Sequence, residues 1–540
     1  MPRKHVLVIF VVILVCCACA ACVDKYASSM HLIRRIVLEK SLEPSNDRQL
    51  FDGMLTGMMS SLDRFSGYIP PEEFQEFNAT LSQEFGGLGL TFGLSETTNR
   101  PTVFFVMPDA PAAQAGIKAD DILVSVDGVS LKDKNITEIS ALLRGAVDSS
   151  VMLSVERPSE QKTLSFSIVR RKIQTETVEG DVRRPDGTWE FILPEMPEEN
   201  PTAENATPTT KKTAETDSTA TPTTPTVENA AVVTPAAEST TPAVENTTVA
   251  VENQPATENE DDELLEDSAE ETPTKPKIAY VRITSFGERT SREMARCLSD
   301  LRKQNLTGLV LDLRDNAGGL LNAAVEICDL FLDSGVIVSI RGREKNLINA
   351  YNATQGKIWN PEIPITILLN ENSASASEIM AACLQDYGEK GVLKVVCVGT
   401  RSYGKGTVQQ LIDLGPIPGD RDLSSNGDFS TASLWKRLWE KPKRGALKLT
   451  MASYWRPSEK NIHRFADATE DDVWGVMPNE GLTVAFPDPA KSKKEEKAQV
   501  AALEQQRNLR WNGQMNPEDA PRIFALDPQL KKAVSWLREQ

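Results

Sequence analysis

From Pro194 to Pro276 the chain consists largely of Thr, Pro, Ala, Glu and Asn and contains no aromatic residue. A stretch of that composition cannot bury enough apolar surface to offset the entropy of ordering it. The globular material is therefore divided into an earlier and a later part. Nineteen acidic and four basic side chains fall between Pro194 and Lys277, so this stretch supplies most of the formal charge of -18 and leaves the folded parts closer to neutral. Proline and self-repulsion extend such a segment, and residues 194–276 read as a linker. The acidic balance excludes a nucleic-acid partner, since phosphate binding needs a basic footprint. At roughly 150 residues per domain, a chain of this length holds about two to four units.

The N-terminus runs Arg3-Lys4-His5, then an apolar stretch Val6 to Val15, then Cys16-Cys17-Ala18-Cys19-Ala20-Ala21-Cys22. Positive, apolar and small-residue regions in that order are those of a secretory signal over residues 1–22. Cleavage after Ala20 fits the A-x-A pattern. Cys22 as a lipid-bearing cysteine and an uncleaved anchor stay open, although Val6 to Val23 barely reaches the roughly twenty apolar residues of a span. We expect an exported chain, periplasmic or membrane-associated on the extracytoplasmic side, with a tether through the N-terminus as one option. The four cysteines beyond this segment, Cys297, Cys328, Cys383 and Cys397, match no metal spacing and read as buried thiols, one disulfide being open to them in an oxidising compartment.

Apolar residues recur at helical spacing from Lys25 to Thr80, so residues 23–80 read as a small helical region. Residues 81–173 alternate in strand fashion around glycines, with strands expected at 89–92, 103–106, 122–126 and 151–155 and helices at 112–115 and 136–143. Arg184-Pro185-Asp186-Gly187-Thr188 reads as a turn between two short strands. After the linker, strands at 278–283, 308–313, 336–340, 365–369 and 392–398 alternate with helices at 291–303, 320–332 and 375–387, which argues for an α/β layered domain over 277–488. A polar insertion at 416–443 precedes a strand at 446–454, and residues 489–540 form a helical C-terminal extension. The fold class is α+β and multidomain.

Only three histidines are present, which leaves a Ser-His-Asp triad almost no material. His5 lies in the N-terminal segment, His31 just beyond it, and His463 in a polar stretch read as exposed. Ser373-Ala374-Ser375-Ala376-Ser377-Glu378-Ile379 and Gly404-Lys405-Gly406-Thr407-Val408-Gln409 supply a serine and a lysine instead. A strand at 365–369 leads into the serines, which open a helix whose free backbone N–H groups favour negative charge. The amide of Ala376 is then an oxyanion donor. Asp315-Asn316-Ala317-Gly318-Gly319 offers a second close backbone approach, with Gly318 as donor and Gly319 as the fallback. A lysine acts as general base only when burial away from carboxylates lowers its pKa, and Lys405 has glycine and apolar neighbours with no acid near it in sequence. Gln409 would orient the amine without charging it. The plainer readings are a helix start for the serines and a loop for Gly-Lys-Gly. A phosphate loop is excluded because its first glycine is missing.

Together these stretches, with Leu62-Asp63-Arg64-Phe65-Ser66-Gly67-Tyr68, Tyr280 to Phe286 and Asp312 to Gly319, resemble the carboxy-terminal processing or tail-specific proteases, which are serine-lysine endopeptidases. The resemblance implies Ser375 as nucleophile, where the residues alone leave Ser373 and Ser377 open. It implies Lys405 as base, Gln409 as the residue positioning the lysine, and no metal or organic cofactor. The Ser-to-Lys interval is longer than the family's, with the excess near Glu389 to Lys394. Phe85 to Leu90, Asp109 to Ile117 and Asp120 to Gly128 resemble a PDZ domain, in which a peptide adds as a strand and backbone amides capture its C-terminal carboxylate. Leu88, Gly89 and Leu90 would supply those amides, and the expected partners are proteins or peptides with apolar C-termini. The competing reading is a silent or latent PDZ scaffold that binds peptide tails. Oligomeric state is left open.

Overall fold

The computed structural model describes residues 25–194, 277–416, 444–486 and 526–540 with short breaks, together with 232–233 and a few positions between 502 and 511. The signal segment, nearly all of the linker, residues 417–443 and much of the C-terminal extension lie outside the described residues. The chain forms two units, Met1–Ala79 with Gln409–Met451, and Thr80–Val408 with Ala452–Gln540.

The first unit holds helices α1, Lys25–Lys40, and α2, Asp47–Ser60. Asn46 starts α2: its side chain accepts from the Gln49 amide while the Gln49 side chain accepts from the Asn46 amide. Strand β1, Gly67–Ile69, pairs antiparallel with Ala446 to Lys448.

The earlier part of the second unit contains β2 (Glu84–Gly87), β3 (Leu90–Leu94), β4 (Pro101–Val106), α3 (Pro111–Ala115), β5 (Ile122–Val126), α4 (Ile136–Leu143), β6 (Ser150–Arg157), β7 (Lys162–Val169) and β8 (Arg171–Gln174). Strands β3, β4, β5, β6 and β7 form one antiparallel sheet in that order, so β3 lies at its edge. Val151, Leu153 and Val155 of β6 turn inward to meet Val103, Leu123 and Ile139, and Met152 between them is exposed, the period of two that a half-buried strand requires. Helix α4 opens on a reciprocal Asn135–Glu138 cap and closes where Arg170 donates to the carbonyls of Leu142 and Leu143. The turn at residues 184–188 joins two short paired strands, Val182–Arg183 and Trp189–Glu190, as the sequence led us to expect.

In the later part, β9 (Lys277–Ile283), β10 (Leu306–Asp312), β13 (Ile365–Leu369) and β14 (Val395–Gly399) are parallel neighbours. Between them in sequence come α5 (Thr290–Leu301), α6 (Leu321–Asp329), the antiparallel pair β11 (Val336–Arg341) and β12 (Leu347–Asn352), and α7 (Ala376–Glu389). The parallel strands are apolar almost throughout because both faces are covered. Leu309 and Leu311 of β10 join the core with Leu298, Ile327 and Met380, while Val310 faces the other way, towards Leu530, Val534 and Leu537 of the last helix, α8 (Pro528–Glu539). The architecture is α+β and multidomain. In a parallel sheet the C-terminal strand ends lie side by side, and ligands of layered α/β folds sit there. The turns following β10, β13 and β14 contain Gly318, Ser375 and Lys405.

Candidate active site

Ser375 stands at the entry to α7 with φ 58° and ψ -112°, a conformation that L side chains seldom adopt. It is fully buried, and its hydroxyl has no hydrogen-bond partner among the described residues. Its two neighbouring serines differ. Ser373 Oγ donates to the Leu313 carbonyl at 2.9 Å and accepts from the Asn370 amide at 3.0 Å. Ser377 Oγ donates to the Asn316 carbonyl at 2.8 Å. Both bind the serine loop to the turn after β10, which leaves Ser375 with the one uncommitted hydroxyl of the three.

That turn packs directly on Ser375. A Cβ added at Gly318, whose φ is 103°, would lie 2.8 Å from Ser375 Cβ and 3.0 Å from the Ala376 nitrogen, so no side chain fits. The Gly318 N–H donates to Asn316 Oδ1 at 2.9 Å, and the Asn316 side-chain amide donates to the Ile283 carbonyl at 2.7 Å. Gly319 lies against Phe286, where an added Cβ would meet the carbonyl oxygen at 2.1 Å. Ala376 supplies the first amide of α7, one of the four that a helix leaves without an internal acceptor.

Lys405 is buried, and its loop is joined to the serine loop by one side chain to which the sequence alone assigns no role. Glu378, fully buried, accepts from Ser375 N and Lys405 N at 2.8 Å each through Oε2, and from Gly404 N and Ser402 Oγ at 2.6 Å each through Oε1. Burial pushes the Glu378 carboxyl above its ordinary range, against the pull of these four donors. The Tyr403 amide adds a bond to the Ser373 carbonyl at 3.0 Å. Added Cβ atoms would clash at Gly404 with Arg464 and Trp474, and at Gly406 with the His463 backbone, so the glycines around the lysine permit close packing. His463 is half-buried and edge-on to Phe465, not in the exposed setting expected of it.

Gln409 belongs to the first unit. Its side-chain amide donates to Thr450 Oγ1 at 3.2 Å, and Thr450 Oγ1 donates to Asp63 Oδ1 at 3.1 Å. Asp63 also accepts from the Phe65 and Ser66 amides and from Ser66 Oγ. Burial alone would raise the Asp63 pKa, but those donors together hold it below the usual carboxylate range. Asp63 and Thr450 thus fix the Gln409 amide, a link that spacing along the chain could not disclose.

Leu88, Gly89 and Leu90 line a groove of about 210 Å³ between edge strand β3 and the end of α4, with Phe85, Ser140 and Arg144. The Arg144 guanidinium lies 4.5 Å from the centre of the Phe85 ring. Gly89 has φ 73°, and an added Cβ would lie 2.3 Å from that of Ala110. An edge strand beside a helix can accept one more strand.

Residues 277–473 match peptidase family S41, and residues 106–157 match the PDZ domain. A carboxy-terminal-processing protease of Bartonella bacilliformis is 27% identical over 83% of this chain and 72% of its own length. The carboxy-terminal processing protease CtpB of Bacillus subtilis is 24% identical over 73% of this chain and 62% of its own, and a carboxyl-terminal-processing protease of Picosynechococcus is 26% identical over 71% and 69%. Among solved structures, a photosystem II D1 C-terminal processing protease is 21% identical, with 91% of this chain and 92% of that one covered at a TM-score of 0.36. The stretch 277–473 is thus similar to peptidase family S41, and the match to the PDZ domain lies ahead of it in the chain.

Proposed function

We propose that this protein is an exported serine endopeptidase that takes protein C-termini in its PDZ groove and hydrolyses peptide bonds at Ser375 by a serine-lysine mechanism. The observation that carries the proposal is the division among three serines: two hydroxyls are committed to structural hydrogen bonds, and the third is uncommitted on a strained backbone. Ser375 Oγ attacks the scissile carbonyl and passes its proton to the neutral Lys405 amine. The oxyanion is received by the amides of Ala376 and Gly318. Lys405 returns the proton to the leaving amine, and water then releases the acyl group, so no metal or cofactor is required. Gln409, four residues along from Lys405, orients the amine. Glu378 supports this reading, since it joins the backbones of Ser375 and Lys405.

The hydrogen bond from the Gly318 amide to Asn316 favours a second reading of the present conformation, that of a latent state, because this amide must leave Asn316 to serve an oxyanion. The PDZ domain and the peptidase family imply peptide or protein substrates. Leu88, Gly89 and Leu90 capture the terminal carboxylate, and an apolar last residue is the matching preference. Export rests on the Arg3 to Cys22 pattern, with a membrane tether left as an option; among the described residues no helix is long and apolar enough to cross a membrane. The proposed domain boundaries are those read from the sequence.

The test is to incubate the protein and its Ser373→Ala, Ser375→Ala and Ser377→Ala variants with an unfolded protein ending in apolar or in charged residues, and to follow fragments by mass spectrometry. Cleavage favouring the apolar tail, lost only in Ser375→Ala, is expected. Tail binding without cleavage in every form would point to the scaffold.

A further inference from the structure

The turn that carries Gly318 is held from the far end of the chain. Arg314, the second residue after β10, is fully enclosed between two aspartates. Its Nε and Nη2 donate to Asp312, which also accepts from the Tyr280 hydroxyl at 2.7 Å. Its Nη1 donates to Asp527 Oδ2 at 2.9 Å and Oδ1 at 3.1 Å, and to Gln529 Oε1 at 3.0 Å. Asp527 also starts α8 by accepting from the Gln529 and Leu530 amides, and it receives Arg507 Nη2 at 2.7 Å. A residue 213 positions along the chain therefore completes the shell of Arg314, four residues from Gly318.

We propose that Asp527 is a positioning residue for the peptidase reaction, acting through Arg314 to fix the turn from Leu313 to Gly319 against Ser375. The inference rests on the Ser375 reading. A buried guanidinium that loses one of its two carboxylates keeps an uncompensated charge and unmet donors, so it must move. Arg314 is anchored on its other side by its own amide, which donates to Asp312 Oδ1 at 3.0 Å, so its movement pulls on the backbone of the turn. Gly318 lies so close to Ser375 that an added Cβ would clash with it, and a close-packed interior transmits such a shift.

The experiment compares wild type with Asp527→Asn, Gln529→Leu and Leu537→Ala, the last loosening the same helix from the sheet without touching Arg314. A fluorogenic peptide with an apolar last residue gives kcat and KM, fluorophosphonate labelling gives the reactivity of the serine, and thermal unfolding gives Tm. For Asp527→Asn, kcat and the labelling rate are expected to fall about 100-fold with KM nearly unchanged. Gln529→Leu should lower kcat by about 5- to 10-fold, and Leu537→Ala should lower Tm alone. An unchanged kcat in Asp527→Asn overturns the inference, as does an equal loss in Leu537→Ala. Should Asp527→Asn fail to fold, full kcat in Gln529→Leu overturns it. Ser375→Ala run alongside separates the two levels: its retained activity refutes the nucleophile, whereas a dead Ser375→Ala beside a fully active Asp527→Asn refutes only the positioning role. A wild type that neither cleaves nor labels removes both.

Discussion

A residue held at φ 58° and ψ -112° costs about 1 to 3 kcal/mol, and the rest of the loop must impose it. Ser375 meets that condition because its amide is held by Glu378 and its neighbours Ser373 and Ser377 are anchored to the turn after β10. Ser375→Gly should accordingly be inactive yet melt higher than Ser375→Ala, by an amount equivalent to about 1 kcal/mol in thermal unfolding, since glycine enters this region without strain. Lys405→Ala should lower kcat by at least about 1,000-fold while circular dichroism stays unchanged. Glu378→Gln places an NH2 group among four donors and should cost about 2 to 5 kcal/mol in denaturant unfolding. Ser375 and Lys405 could be singled out in the sequence because each stands in a recognisable motif, Ser373 to Ile379 and Gly404 to Gln409. Glu378 does not stand out in the sequence, since an acid in the first turn of a helix ordinarily does no more than complement the helix dipole.

At the scale of elements, strands 122–126 and 365–369 and helix 136–143 form with the bounds expected, because their apolar periods agree with the faces they bury. Strand β12, Leu347–Asn352, was not expected. Its residues are exposed or half-buried, and pairing with β11 fixes it where hydrophobic pattern says nothing. The contact of Asp63 with Thr450 was equally hidden, being a tertiary bond between segments far apart in the chain. Asp63→Ala strips Thr450 and the Phe65 and Ser66 amides of their acceptor, and should lower stability by about 1 to 3 kcal/mol. Its effect on kcat, against a Thr450→Val control, measures how far the Gln409 amide depends on that support. In the PDZ groove, Gly89→Ala must find room against Ala110 at a positive φ. It should raise the Kd for an apolar-tailed peptide at least about 10-fold in calorimetry and leave serine labelling intact, since each 1.4 kcal/mol of lost binding is a factor of ten.

For the whole molecule, the buried acids of the Arg314 network set the response to acid. Burial alone would raise the Asp312 pKa, but the Arg314 guanidinium prevails and holds it well below the usual carboxylate range; Asp527 is likewise lowered, by Arg314 and Arg507 against its own burial. A depressed folded-state pKa adds stability that is present above the unfolded value of about 4 and is lost as pH falls through the folded value. Tm should therefore fall as pH drops below about 4, and Asp527→Asn should flatten that fall. The same network orders events in biosynthesis. A nascent polypeptide that has emerged only as far as Ser375 and Lys405 still lacks Asp527, which completes the charge shell of Arg314. If Asp527 positions the turn as proposed, a product truncated before it should carry both serine and lysine motifs and yet digest its neighbours poorly.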